Sequence, residues 1–149
     1  MKIADLEQIK GRRFPAGRLT KNLVGGASSI QAKNFCMGFV ELDPKGGQVP
    51  WHNHPQEEVY YLLEGTGQMC LGEECFTLRG GQVIFIPPNV YHQLTNTGDE
   101  ILRMIYCFGP AGEVDHWKQE LAGTLPRAGK EAPPLPEGAW PQHTSTEPR

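Results

Sequence analysis

No apolar run in the 149-residue chain reaches membrane-spanning length, which argues against a transmembrane helix. The first residues, MKIADLEQIKGRR, lack the apolar core of a secretory leader; the expectation is a cytoplasmic protein. Basic charge is scarce: 14 Lys and Arg stand against 17 Asp and Glu, a net charge of −3. Only Lys10, Arg12 and Arg13 cluster, so nucleic acid is not the expected partner, and neither is a membrane. Cysteines are few, namely Cys36, Cys70, Cys75 and Cys107, and no two form a C-x2-C pair. Each lies in an apolar, strand-like segment, and the reading is four buried free thiols acting as small hydrophobes rather than a disulfide framework. Long helical periodicity and internal repeats are also missing.

Turn chemistry is plentiful instead, with 18 Gly and 13 Pro. Short apolar or alternating segments fall between these breaks at 35–43, 59–64, 68–71, 75–78, 83–86, 91–95 and 101–108. Gly72-Glu73-Glu74 reads as a hairpin turn. The segment 83–86 is wholly apolar, as a buried strand would be. One or two N-terminal strands are expected near 23–24 and 28–33. Many short strands, closely spaced turns and no long helix indicate an all-β sandwich or barrel. The expected organisation is one domain: an arm of N-terminal strands over 1–34, a barrel core over 35–110, and a short helix with a Pro-rich tail over 111–149. Within 114–121, Val114, Trp117 and Leu121 share one helical face. The tail from residue 124 is expected to drape over the surface or stay disordered, unless Trp140 anchors it across the barrel mouth or onto a partner subunit.

Against this background His52, His54, Glu58 and His92 stand out. Imidazole and carboxylate together suit one divalent first-row metal, whether Fe, Mn, Ni, Cu or Zn. Positions 52, 54 and 58 share parity, so an extended backbone would aim all three to one face, with His92 added from another strand. Buried in an apolar barrel, three His and one Glu would carry a large desolvation cost, and ligation is the simplest way to satisfy them.

The spacing is that of two linked motifs. Gly46, five residues, His52-Asn53-His54, three residues, Glu58, six residues and Gly65 fill every fixed position of G-x5-H-x-H-x3-E-x6-G. Gly81, five residues, Pro87-Pro88-Asn89, two residues, His92, three residues and Asn96 follow G-x5-P-x-G-x2-H-x3-N, with Asn89 in place of the usual Gly. Asn is the non-Gly residue that best tolerates positive φ, so the turn can survive. Over residues 46–96 the chain resembles the cupin superfamily, in particular small single-domain, RmlC-like members. The resemblance implies a double-stranded β-helix, or jelly-roll, barrel around a metal held by His52, His54, Glu58 and His92. It also implies a homodimer.

Around the ligand set the expectations are less specific. Tyr60 has ligand parity, which allows its hydroxyl to reach the metal or its ring to pack in the core; Glu58 and Tyr60 are the catalytic candidates. Asn53 has opposite parity and is expected to face solvent. Gln48, Trp51, Gln56 and Gln93 lie beside the ligands and are candidates for the entrance, though Trp51 could equally pack at the rim. In the last strand Arg103 is expected outside and Met104 and Tyr106 inside, making Trp51, Gln56, Met104 and Tyr106 the substrate-pocket candidates. His116 and His143 lie outside the motifs and are expected to be exposed.

The functional expectation is a metal-dependent enzyme acting on a small polar molecule, sugar-like or a keto acid, through Lewis-acid chemistry of isomerase, lyase or dioxygenase type. The alternative is a non-catalytic small-ligand binding or sensor module. A storage-type structural role fits the intact motif and short length poorly.

Overall fold

A computed structural model describes residues 1–114, 116–137 and 139. Its strands are β1 (Arg12–Phe14), β2 (Arg18–Val24), β3 (Cys36–Leu42), β4 (Gln48–His52), β5 (Glu57–Glu64), β6 (Thr66–Leu71), β7 (Glu74–Arg79), β8 (Val83–Ile86), β9 (His92–Asn96) and β10 (Leu102–Gly109). Among the described residues one helix, α1 (His116–Ala122), follows. The strands build two antiparallel sheets, ordered β1-β2-β3-β10-β5-β8 and β4-β9-β6-β7. Facing each other, these two sheets form the jelly-roll barrel.

Alternation decides which side of each strand enters the core. In β10, Leu102, Met104, Tyr106 and Phe108 are buried while the residues between them are half-buried. Arg103 is turned outward, as expected, where Glu41 of β3 and Glu64 of β5 pair with it at 2.9 and 3.3 Å. Inside, the β10 residues meet Val40, Leu42, Leu62, Met69, Ile86 and Leu94 from both sheets. Gly38 lies directly opposite Tyr106 on β3. A Cβ at Gly38 would collide with the Tyr106 ring, so a residue without a side chain is needed there for the tyrosine to enter the barrel.

The structure corrects several expectations. The segment 28–33 forms no strand; the N-terminal arm is instead the β1–β2 hairpin, continued into the sheet by β2 against β3. The apolar segment β8 is an edge strand, with Val83 and Phe85 61% and 54% exposed and only Ile86 fully buried. Two of the four cysteines are joined: Cys70 and Cys75 form a disulfide. They are opposite partners in the β6–β7 hairpin, where strand register alone brings the thiols together. Cys36 and Cys107 remain thiols.

Part of the tail is placed as well. Leu125 and Ala132 are buried, and Ala128 bridges to Ala132. Ala132 packs with Trp51 and Cys70, so the described tail covers the outer side of the four-stranded sheet. Trp140 and His143 lie outside the described residues.

Candidate metal centre

The four motif residues converge. The candidate ligand atoms of His52, His54, Glu58 and His92 lie within 4.8 Å of one another, and all four residues are buried. Shared strand parity accounts for this only in part. β4 ends at His52 and β5 begins at Glu57, leaving His54 in the loop between them. His52 and His92 are direct cross-strand partners of the four-stranded sheet, whereas Glu58 comes from the opposing six-stranded sheet. The site therefore spans the gap between the sheets, and a loop must hold His54 in place.

Two asparagines hold that loop. Asn89 adopts φ 63°, the left-handed conformation its Gly-type position requires. Its N–H donates to the His54 carbonyl at 2.8 Å. Asn53 does not simply face solvent: it is half-buried and donates Nδ2–H to the Asn89 carbonyl at 3.1 Å. The second motif's last residue serves similarly. Asn96 Nδ2 lies 2.8–3.1 Å from the carbonyls of Leu42, Asp43 and Glu100, tying β9 to the turns beside it.

Each of the three histidine rings is oriented by a main-chain carbonyl two residues away. His52 Nδ1 lies 2.6 Å from Pro50 O, His54 Nδ1 3.0 Å from Gln56 O, and His92 Nδ1 2.9 Å from Val90 O. A carbonyl can only accept, so Nδ1 carries the proton in each ring, and a neutral ring then has its lone pair on Nε2. His54 Nε2 sits 2.7 Å from Glu58 Oε2. His92 Nε2 sits 3.3 Å from the same oxygen without hydrogen-bond alignment and has no other hydrogen-bond partner among the described residues. Lone pairs and a carboxylate this close require a proton or a cation between them.

A proton is a poor solution for His52. Burial, then the neighbouring His116 and His92, hold its pKa well below the ordinary imidazole value. For Glu58, burial alone would raise the carboxyl, but the adjoining His54 and His92 imidazoles outweigh it and keep the pKa below the usual value. A buried group that stays anionic, ringed by imidazoles whose proton faces outward, fits a divalent metal of the His/carboxylate class.

The remaining candidates separate into two groups. Tyr60, Met104 and Tyr106 line a cavity of about 20 Å³ together with His54 and Glu58. Burial raises the pKa of both tyrosines, so their hydroxyls are protonated and able to donate. Trp51 and Gln56 do not line that cavity. Trp51 stacks on Tyr91 at 5.5 Å and packs under the tail, away from the ligands. Gln56 is buried and orients His54 through its main-chain carbonyl.

Three residues at the mouth were missed or misplaced by sequence reasoning. His116 was expected in solvent; it is buried and stacks on His52 at 3.7 Å between ring centroids. The buried residues of α1 are His116 and Glu120. The expected apolar face contributes buried Val114 just before the helix and half-buried Trp117, while Leu121 is 44% exposed. Glu120 accepts a 2.7 Å hydrogen bond from Arg18, and both side chains are fully inside the protein. The inversion has a physical cause: the surface that α1 covers presents an imidazole and a guanidinium, so polar residues make the better fit. A chain-local periodicity cannot register a partner 102 residues away.

The pattern that defines the Cupin domain matches residues 38–108. Polyketide synthase CurC of Streptomyces cyaneus is 32% identical over 110 residues, covering 73% of this chain and 70% of CurC. The uncharacterized protein MJ1618 of Methanocaldococcus jannaschii is 40% identical over 68 residues, 45% of this chain; the match spans about half of that protein, 54%. Among solved structures, the polyketide cyclase RemF of Streptomyces resistomycificus superposes with a TM-score of 0.63 at 23% identity, covering 74% of this chain and 80% of RemF.

Proposed function

Because the chain belongs to the cupin superfamily, we propose that it is a metal-dependent enzyme acting on a small polar molecule, with His52, His54, Glu58 and His92 as ligands of one divalent transition metal. The observation that carries this reading is the Nδ1 pattern: three buried imidazoles donate outward to carbonyls and leave Nε2 lone pairs converging beside Glu58. A bound metal would supply Lewis-acid polarisation of substrate oxygens. Glu58 has a second capacity, since its Oε2 lies within hydrogen-bond distance of His54 and can hold a proton in transit. Tyr60, buried and protonated beside the ligands, is a donor to a substrate oxygen. Met104 and Tyr106 shape the inner wall. The name of CurC places that relative in polyketide synthesis, a chemistry of carbonyl and enol groups. This supports a substrate bearing oxygens next to an acidic C–H, such as a keto acid or a sugar-like compound, and enolisation, isomerisation or lyase chemistry over a structural role.

The test is turnover. In a screen of keto acids and sugar-like compounds, the protein loaded in turn with Fe, Mn, Ni, Cu and Zn should turn over at least one class. His54→Ala and Glu58→Gln should reduce kcat/KM by roughly a hundredfold or more, the scale of losing a ligand-sphere or proton-transfer group. Ligand-induced stabilisation with no turnover in any metal form would instead leave a binding module.

We also propose a homodimer built on the outer face of the six-stranded sheet. Tyr61, Leu63, Val83 and Phe85 are 41–61% exposed there, on neighbouring strands, one of them an edge. Such clustered apolar exposure beside unpaired strand backbone favours association with a second copy. The protein should elute as a dimer under light scattering, and Val83→Glu with Phe85→Glu should yield monomers; a wild-type monomer removes the idea.

A further inference from the structure

We propose that Arg18 is a docking point for a carboxylate of the substrate, and that Glu120 of α1 is the protein's own carboxylate filling that place when substrate is absent. The proposal rests on the metalloenzyme reading for its substrate and on separate residues for its evidence.

Arg18 is poised for recognition. Its Nε donates to Thr20 Oγ1 at 3.2 Å and its guanidinium lies over the Phe14 ring, 4.0 Å from the centroid. Neighbours other than Glu120 therefore already fix the guanidinium. Arg18 lines the same small cavity as His54, Glu58 and Tyr60, so a group bound to it lies beside the candidate metal ligands.

The bond to Glu120 is incomplete. Only Nη2 and Oε2 meet, at 2.7 Å. Arg18 Nη1 and Glu120 Oε1 are both buried without a hydrogen-bond partner among the described residues. Guanidinium and carboxylate are shaped for a two-pronged contact, and a buried pair kept for stability alone would be expected to use both prongs. A small carboxylate, free to rotate, can satisfy the donor that Glu120 leaves unused. Burial also raises the Glu120 pKa, opposed by Arg18, which marks this carboxylate as held at a cost.

Space points the same way. The inner cavity, about 20 Å³, has room for about one water molecule. Next to it lies a groove of about 540 Å³, which shares Thr20, Tyr106, Phe108, Val114 and Trp117 with the inner cavity. Lys10, Arg12 and Lys118 also line the groove, as does Glu113, which pairs with Lys118 at 3.1 Å. Admitting an organic substrate requires α1 to shift. The helix is seven residues long, with Gly112 four residues before it and Gly123 immediately after it. A carboxylate that replaces Glu120 on Arg18 would release one of the contacts holding α1 down, so binding and opening are the same event.

The test uses propionate, with neutral propionamide as control, titrated into the full-length protein and followed by backbone amide NMR, both as purified and after chelation. Wild type should bind propionate weakly. Glu120→Gln, which keeps the shape but weakens the internal competitor, should bind it at least tenfold more tightly, with shifts at residues 18–20 and 116–122. The double variant Arg18→Met/Glu120→Leu should not bind it, and propionamide should bind none of the three. Equal affinity in wild type and Glu120→Gln, binding retained in the double variant, or binding that disappears on chelation would each overturn the subsite. Metal content measured on the same samples separates the two proposals. A protein that keeps its metal but shows no Glu120→Gln effect loses only the subsite. Propionate binding after chelation supports the subsite whether or not the metal reading holds.

Discussion

Purified without added metal and without nickel affinity resin, the protein should carry about one divalent transition metal per chain by elemental analysis. His54→Ala and a His52→Ala/His92→Ala variant should carry almost none. The expectation follows from how the rings are held. Each Nδ1 is bound to a carbonyl two residues away, so the ligand geometry is set by the backbone before any metal arrives. Without a cation the site keeps a 2.7 Å contact between His54 Nε2 and Glu58 Oε2 and leaves His92 Nε2 without a hydrogen bond among the described residues. Metal at a thousandfold excess over its Kd adds about 4 kcal/mol to folding. Chelation should then lower Tm by on the order of 10 °C in the wild type and leave the His54→Ala variant unmoved. Acid should act in the same direction. His52 has a folded pKa well below its unfolded value, so below about pH 6.5 the unfolded chain binds the extra proton and stability falls as pH falls, by up to about 1.4 kcal/mol per pH unit. Glu58, depressed in the fold, adds its loss only at lower pH, as its carboxylate is protonated. A protein that holds no metal, even after metal is added back, and whose Tm ignores chelator would sink the metalloenzyme reading.

The legible and illegible parts of this protein divide along a physical line. Residues whose job is set by their neighbours in sequence announced themselves. Asn89 takes positive φ because its turn demands it, and β10 alternates because one of its faces is core. The H-x-H spacing was informative for a different reason than parity. It places one histidine at a strand end and the next in a loop that a second turn, through Asn53 and Asn89, clips into position. Residues whose job is set across the fold stayed hidden. Val83 and Phe85 look like core in a four-residue apolar run, and only the strand order shows that, among the described residues, β8 has no neighbouring strand on one side. Cys70 and Cys75 gave no metal-type spacing, yet hairpin register makes them partners. His116 and Glu120 sit on a helix whose apolar periodicity suggested a different inner face. Arg18 carried no motif at all, although its Glu120 pairing closes the barrel mouth from the opposite end of the chain.

That pairing leads to the second large effect, on stability. Arg18→Met alone should cost about 3–5 kcal/mol, because it leaves the Glu120 carboxylate buried with no partner, and should lower Tm by on the order of 10 °C. Arg18→Met/Glu120→Leu should lie within about 1 kcal/mol of wild type, since apolar residues of similar volume replace buried ion pairs with little loss. Urea unfolding of the four members of this cycle gives the coupling energy directly. Additive costs, or a single-variant loss below about 1 kcal/mol, would show that water or a neighbour already satisfies these groups. If the double variant is as stable as expected, folding supplies no reason to keep a charged pair with one unused donor and one unused acceptor at the barrel mouth. The reason must then lie in what the pair does when it separates. Glu120 is carried by the same short helix that stacks His116 on His52. Parting Glu120 from Arg18 would therefore loosen the cover over the candidate metal ligands as it exposes a guanidinium to an incoming carboxylate.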